Sequence, residues 1–313
     1  MERTDHELAL RTVDERTAGY GTALAFAPDG DHWVSAAPGI AHLWRQAEPG
    51  PTLSPPTTDF GRVRFSRDGS RLLIGPYVYN VSDGTWLSYA PLFDQLGPPL
   101  SAPGMFDVAG AAWDGDGEDL VVAARFRGVG GVIGARERVV VLRGANRTPI
   151  ATLYEGDREI RGLAIDDRFV AVAIRDIAIW SRAEHHQVAA LSGHAVTVTD
   201  LAFSPDGRWL ASLDGHGVLL VWETSRWGEP VARIQTSPDR GLAVAWHPSR
   251  PLVATGGYDG VVRLWAIDGR AEPVVASAPL GGWVEGLAFA PGGGRLVAAA
   301  HADPARLVVF AVE

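Results

Sequence analysis

The chain has 313 residues, 46% hydrophobic and 21% charged, with a formal net charge of −9 from 28 basic and 37 acidic side chains. That length allows one large core or two ordinary ones, and the acidic balance argues against nonspecific nucleic-acid binding, which needs a basic footprint. All 28 basic residues are Arg and Cys is absent, which excludes Lys Schiff bases, a Gly-rich phosphate loop ending in Lys-Ser/Thr, disulfides, thiolate metal sites and Cys nucleophiles.

The N-terminal stretch Met1-Glu-Arg-Thr-Asp-His-Glu-Leu-Ala-Leu10 is charged and lacks the apolar centre of a signal peptide. No apolar run of about 18 residues follows, so no membrane span is expected. With the Cys-free composition, these features predict a cytoplasmic protein.

From there the chain repeats itself. Short apolar stretches ending in an aromatic residue or Ile recur as ALAFAPDG (23–30), VRFSRDG (63–69), AAWDGDG (111–117), LAIDD (163–167), LAFSPDG (201–207), VAWHPSR (244–250) and LAFAPGG (287–293). Their anchors are Phe26, Phe65, Trp113, Ile165, Phe203, Trp246 and Phe289, spaced from 38 residues (Ile165 to Phe203) to 52 (Trp113 to Ile165). A tight turn follows each anchor, then a second apolar strand such as HWVSAA (32–37), RLLIG (71–75), RWLASL (208–213) or PLVATGG (251–257). A third strand often closes on Trp, as in IAHLW (40–44), IAIW (177–180), VLLVW (218–222) and VVRLW (261–265). A variable fourth comes last, for example TWLSY (85–89), PIATLY (149–154), PVARIQ (230–235) and PVVASA (273–278).

Period-two alternation, β-branched enrichment and Gly/Pro/Asp punctuation read as strands throughout. Four strands per unit at this period predict a propeller. The seventh unit ends at Glu313 after only three strands, and Glu7–Val13 can supply the fourth, removing an exposed edge. The expectation is an all-β fold, a single seven-bladed β-propeller domain over residues 1–313. Its blades are four-stranded and antiparallel, closed by an N-terminal strand at about 6–13.

The unit Leu201–Glu223, with Gly193-His194 ahead of it, and Tyr258-Asp-Gly-Val-Val-Arg-Leu-Trp265 make the chain similar to WD40-repeat proteins over nearly its whole length. The resemblance implies a polar tie in each blade: a loop His, a Ser/Thr, a turn Asp six residues before the closing Trp, and that Trp. Blade five offers His194, Ser212 and Trp222, with His216 at the Asp position. Blade six offers Thr255, Asp259 and Trp265, with Ser237 at the His position. Blade one has Pro38 for the Asp; blade seven has Pro304 and closes on Phe310. On this count no blade keeps the full set, and packing of apolar strand faces must carry stability.

Several local patterns invite chemistry. Asp114-Gly-Asp-Gly-Glu-Asp119 starts like a calcium loop, but the twelfth position is Arg125 where a bidentate Glu is needed, so it reads as a solvated turn. Arg127-Gly-Val-Gly-Gly-Val-Ile-Gly134 is a poor dinucleotide loop, with strands instead of a helix following, and reads as a hairpin insertion. His194 and His216 are expected near each other as a structural pair, no third metal ligand being evident. No Ser/His/Asp nucleophile set is recognisable, and neither a cofactor nor a metal is expected.

Segments 90–105 and 127–137 exceed the repeat and should decorate one rim, where binding tends to reside. The predicted function is a non-catalytic scaffold binding a protein or peptide there. The alternative is a propeller enzyme of the metal-dependent hydrolase or lactonase type, with its site in the central channel. The resemblance places partner-facing residues six positions before each anchor: Tyr20, Asp59, Asp107, Glu159, Thr197, Arg240 and Trp283, with Tyr258 beside them. An apolar or aromatic group is expected near Trp283 and a basic segment over Asp59, Asp107 and Glu159.

Overall fold

The computed structural model describes residues 8–17, 23–37, 39–45, 48–54, 63–74, 77–87, 106–113, 119–126, 136–143, 148–268 and 272–313. All regular structure among them is β, in seven four-stranded antiparallel sheets. Blade one comprises Ala23–Phe26, His32–Ala37, Ile40–Arg45 and Glu48–Leu53; blade two, Val63–Phe65, Arg71–Ile74, Tyr77–Asn80 and Trp86–Leu87. Blade three comprises Phe106–Trp113, Asp119–Phe126, Arg136–Arg143 and Thr148–Gly156; blade four, Gly162–Ile165, Phe169–Ala173, Ile177–Ser181 and Gln187–Leu191. Blade five is Val198–Phe203, Trp209–Asp214, Val218–Glu223 and Ala232–Gln235; blade six, Gly241–Trp246, Leu252–Gly257, Arg263–Ala266 and Val275–Ala276. Blade seven is Trp283–Phe289, Arg295–His301 and Arg306–Val312, with Leu10–Thr17 hydrogen-bonded along its outer edge.

Burial explains the sequence pattern strand by strand. The second and third strands of blade five, WLASLD and VLLVWE, are buried at nearly every position because a blade packs on each face of the sheet. Its outer strand ARIQ returns to alternation because its edge meets water. The hydrophobic core is correspondingly divided among the gaps between blades. One cluster joins Ile177 and Ile179 of blade four to Leu201, Leu210 and Trp222 of blade five. Another joins Leu219 and Val221 of blade five to Val244, Trp246 and Trp265 of blade six. Leu24, Trp33 and Trp44 of blade one pack on Val297, Leu307 and Val309 of blade seven, which brings the two ends of the ring together.

The turns after the anchors are held by their own side chains. In Ser204-Pro-Asp-Gly207 the Ser204 hydroxyl donates to Asp206 at 2.6 Å, Gly207 N–H donates to Ser204 O, and Arg208 N–H donates to Asp206. Ser66–Ser70 repeats the device, and the Ser66 and Ser70 hydroxyls hold the Asp68 carboxyl down at about 2.

The outer strand of blade seven, expected at about 6–13, runs instead over Leu10–Thr17. Leu8 and Leu10 do pack on the cluster of blades six and seven. Val13 is 47% exposed, because the register slips between Thr12 and Asp14 and turns it outward. Residues 136–137, read above as part of an insertion, open the third strand of blade three. There the buried Glu137 carboxylate accepts the Ile160 N–H at 2.7 Å.

Asp166 yields a pH test. Its Oδ1 accepts the N–H groups of Arg168 and Phe169, while Oδ2 is buried without a hydrogen bond. Burial pushes this carboxyl above the usual Asp range. The folded state then disfavours the charged form, so its stability contribution is complete at low pH and lost as pH rises through the raised value. Asp166→Asn should raise the melting temperature at pH 7 by about 1–3 °C, with the gain shrinking toward pH 4. A gain that grows on acidification contradicts this reading.

Candidate functional site

Two polar constellations stand out, one inside blade five and one on the rim of blades six and seven. In blade five, His194 precedes the inner strand, Ser212 and Asp214 lie two apart on one face of the second strand, and Trp222 closes the third. Trp222 Nε1–H donates to Ser212 Oγ at 2.9 Å, Ser212 Oγ lies 2.7 Å from His194 Nε2, and His194 Nδ1 lies 2.8 Å from Asp214 Oδ2. Asp214 Oδ1 also receives the N–H groups of His216 and Val218. Burial pushes the His194 imidazole below its ordinary value. A neutral ring donating from Nδ1 and accepting at Nε2 gives every member a partner.

This corrects the sequence count in two ways. Blade five does keep a complete tie, and its carboxylate is Asp214, not the residue at the His216 position. His216 is exposed and contributes only its main chain to the tie. His216→Asp would therefore place a second carboxylate beside Asp214 and repair nothing. Ser212, His194 and Asp214 also do converge in the order of a nucleophile, a base and its orienting carboxylate. Yet Ser212 is 0% exposed, and the His194 and Asp214 side chains are 4% and 1% exposed. With Trp222 already on Ser212 Oγ, the set is a structural brace.

Blade six keeps a shortened version. Trp265 Nε1–H donates to Thr255 Oγ1 at 2.8 Å, and the Ser237 hydroxyl donates to Asp259 Oδ2 at 3.1 Å. Arg263 pairs with the same oxygen at 2.7 Å. Trp44 of blade one likewise donates to Ser35 at 2.9 Å, a pair the sequence reading did not name.

The rim constellation unites three of the residues singled out from the sequence. Arg240 precedes the inner strand of blade six, Tyr258 follows its second strand, and Trp283 begins the inner strand of blade seven. The Arg240 guanidinium lies 5.8 Å over the Tyr258 ring, and Tyr258 stacks on Trp283 at 4.5 Å with planes 8° apart. Trp283 stacks in turn on His301 at 5.2 Å and 28°. His301 pairs with Trp283 across the sheet, and its Nδ1 lies 3.2 Å from Glu285.

The glycines beside these residues make the row possible. A Cβ on Gly257 would meet Arg240 O at 2.3 Å, and one on Gly282 would meet His301 O at 2.3 Å. Only a residue without a side chain lets the chain approach this closely. Tyr258 N–H then donates to Arg240 O at 2.9 Å, fixing ring against loop. Trp283 remains 41% exposed at the rim. His301 was missed by sequence, although its place opposite Trp283 follows from the hairpin register.

The remaining predicted positions are not gathered in this way. Tyr20, Asp59, Pro38, residues 90–105 and 114–118, and the Gly-rich segment up to 135 lie outside the described residues. Asp107 falls in a strand opposite Arg125 rather than in a loop. Glu159 is half-buried and ion-paired with Arg161, and Thr197 is exposed. The central channel has a volume of about 600 Å³ and is lined mainly by Ala, Leu, Val and Phe. Arg64, Arg161, Asp200 and Glu285 also line it, which the apolar reading of the inner strands passed over. Asp200 there accepts the N–H of Val244, tying blade five to blade six. Among the described residues no three His, Asp or Glu side chains are grouped to hold a metal ion.

A ring of four-stranded antiparallel blades around an axial channel defines the class, a seven-bladed β-propeller. Residues 185–223 and 229–266, the first three strands of blades five and six with the outer strand of the blade before each, match the family described as WD domain, G-beta repeat. Blades five and six therefore carry WD40 repeats, within a seven-bladed β-propeller. The chain is 37% identical over 140 residues to Centriole proteome protein 16 of Chlamydomonas reinhardtii, covering 41% of this chain and 7% of that protein. It is 32% identical over 123 residues to Anaphase-promoting complex subunit cdc20 of Dictyostelium discoideum, covering 34% and 25%. It is 24% identical over 164 residues to Actin-interacting protein 1 of Drosophila melanogaster, covering 44% and 26%. The matched region thus spans about a quarter or less of each of these relatives.

Proposed function

We propose that this chain is a non-catalytic interaction scaffold that recruits a protein or peptide to the rim carrying Arg240, Tyr258 and Trp283. The supporting observation is the exposed stack itself, in which Trp283 stays open to solvent while its neighbours hold it rigid. Trp, Tyr and Arg are the side chains enriched at interface hot spots, and a pre-ordered ring loses little entropy on binding. Two of the relatives are named for an interaction or an assembly, the actin-interacting protein and the complex subunit. A photo-crosslinking residue at Thr197, on the same rim, should capture the partner, while one at Arg208, at the far end of the inner strand, should not. Equal capture from both positions, or capture from Arg208 alone, contradicts the assignment.

A further inference from the structure

The chemistry of the rim stack selects its partner, an inference that rests on the docking role proposed above. Tyr258 lies between Arg240 and Trp283, and Trp283 between Tyr258 and His301, so the ring faces are engaged within the row. Recognition of an ammonium group needs an open aromatic face to receive the cation. With neighbours stacked against these rings, the part left for a partner is taken to be ring edge, the electropositive part of an aromatic ring.

The polar groups of these side chains favour donation. The Arg240 guanidinium, the Tyr258 hydroxyl and the Trp283 indole N–H can all donate, and none has a hydrogen-bond acceptor or ion-pair partner among the described residues. Among the described residues Arg240 has no ion-pair partner, in a chain whose acidic side chains outnumber its basic ones by 37 to 28. The neighbouring Asp239 is turned to the main chain, its Oδ1 accepting the Arg240 N–H at 2.8 Å. Glu285, at the other end, is held by His301.

We propose that this edge docks an acidic peptide segment of a partner protein. One carboxylate meets the Arg240 guanidinium, and further carboxylate or carbonyl oxygens accept from Tyr258 and Trp283. Donors to a charged acceptor are the stronger kind of hydrogen bond, and a row of them sets the register of an extended segment. The basic segment expected from the sequence would need an acidic counter-surface. The one such side chain described, Glu159, is already paired with Arg161.

The test is fluorescence anisotropy of the intact chain with fluorescein-labelled octaglutamate, octaarginine and a Gly-Ser octapeptide. Octaglutamate should bind saturably and the Gly-Ser peptide should not. Arg240→Gln should weaken octaglutamate by about tenfold, and Tyr258→Phe and Trp283→Phe by about threefold each. Tyr258→Phe removes only the hydroxyl, and Trp283→Phe removes the indole N–H while keeping one aromatic ring in the stack, so unchanged melting temperatures separate lost recognition from lost fold. Arg208→Gln, at the opposite end of the strand, should leave binding unchanged. Absence of octaglutamate binding, or binding indifferent to all three substitutions, overturns the acidic assignment. Octaarginine binding that Trp283→Phe weakens also overturns it while leaving the docking face in place, and the Thr197 crosslink reads that face independently.

Discussion

Asp214→Ala should lower the free energy of unfolding by about 2–4 kcal/mol, measured by urea denaturation at pH 7.5. The substitution strips the acceptor from His194 Nδ1 and from the N–H groups of His216 and Val218 at once. The His194 and Asp214 side chains lie where almost no solvent can replace the lost partner. Ser212→Ala should cost less, about 1–2 kcal/mol, because it orphans only Trp222 Nε1 and His194 Nε2. The tie also gives a pH signature. With the His194 value depressed by burial, the unfolded chain takes up a proton more readily than the folded one. The stability from a neutral His194 is complete above the unfolded value of about 6.5 and is lost as pH falls below it. A variant at Asp214 as stable as the parent would show that the tie braces nothing.

Deletion of residues 1–17 should lower the melting temperature by about 5–10 °C and cause aggregation. Leu10–Thr17 pairs with Arg306–Val312 from Leu10↔Val312 to Thr17↔Arg306, and Leu10 packs on the cluster around Phe310. Removing it leaves a seven-residue strand of apolar composition, RLVVFAV, with an unpaired edge. Such an edge is a template for pairing with another chain. A truncated protein that melts like the parent and stays monodisperse would contradict an architectural role for this strand.

The repeat was legible in the sequence because packing between blades imposes it. Each inner strand needs an anchor and each third strand a large closing residue, so Phe203 with Trp222 and Trp246 with Trp265 recur at matched places. The polar tie was harder to read. Blades five and six use hairpins of the same register, Ser212↔Leu220 and Thr255↔Arg263. Counting back from Trp therefore finds Asp259 in one and His216 in the other. The physical requirement is a carboxylate near the loop side chain, not at a fixed offset. At the end of a strand, Asp214 meets it by sharing a face with Ser212. Blade six has Gly257 at that position, so its carboxylate must come from the turn.

The rim was half legible. Arg240, Tyr258 and Trp283 could be placed at loop positions, but their stacking depends on the close approaches at Gly257 and Gly282, which a one-dimensional pattern does not display. Trp283 reads as an open apolar anchor in sequence, and only the structure shows the Tyr258 and His301 rings stacked with it.

The docking claim is tested most directly by the dissociation rate of the crosslinked partner, once isolated, from surface-captured parent, Trp283→Ala and Arg208→Ala proteins. Trp283→Ala should raise the off-rate by at least about tenfold with little change in on-rate, and Arg208→Ala should match the parent. Equal off-rates for Trp283→Ala and the parent, or a faster off-rate for Arg208→Ala alone, would contradict a partner site on this rim.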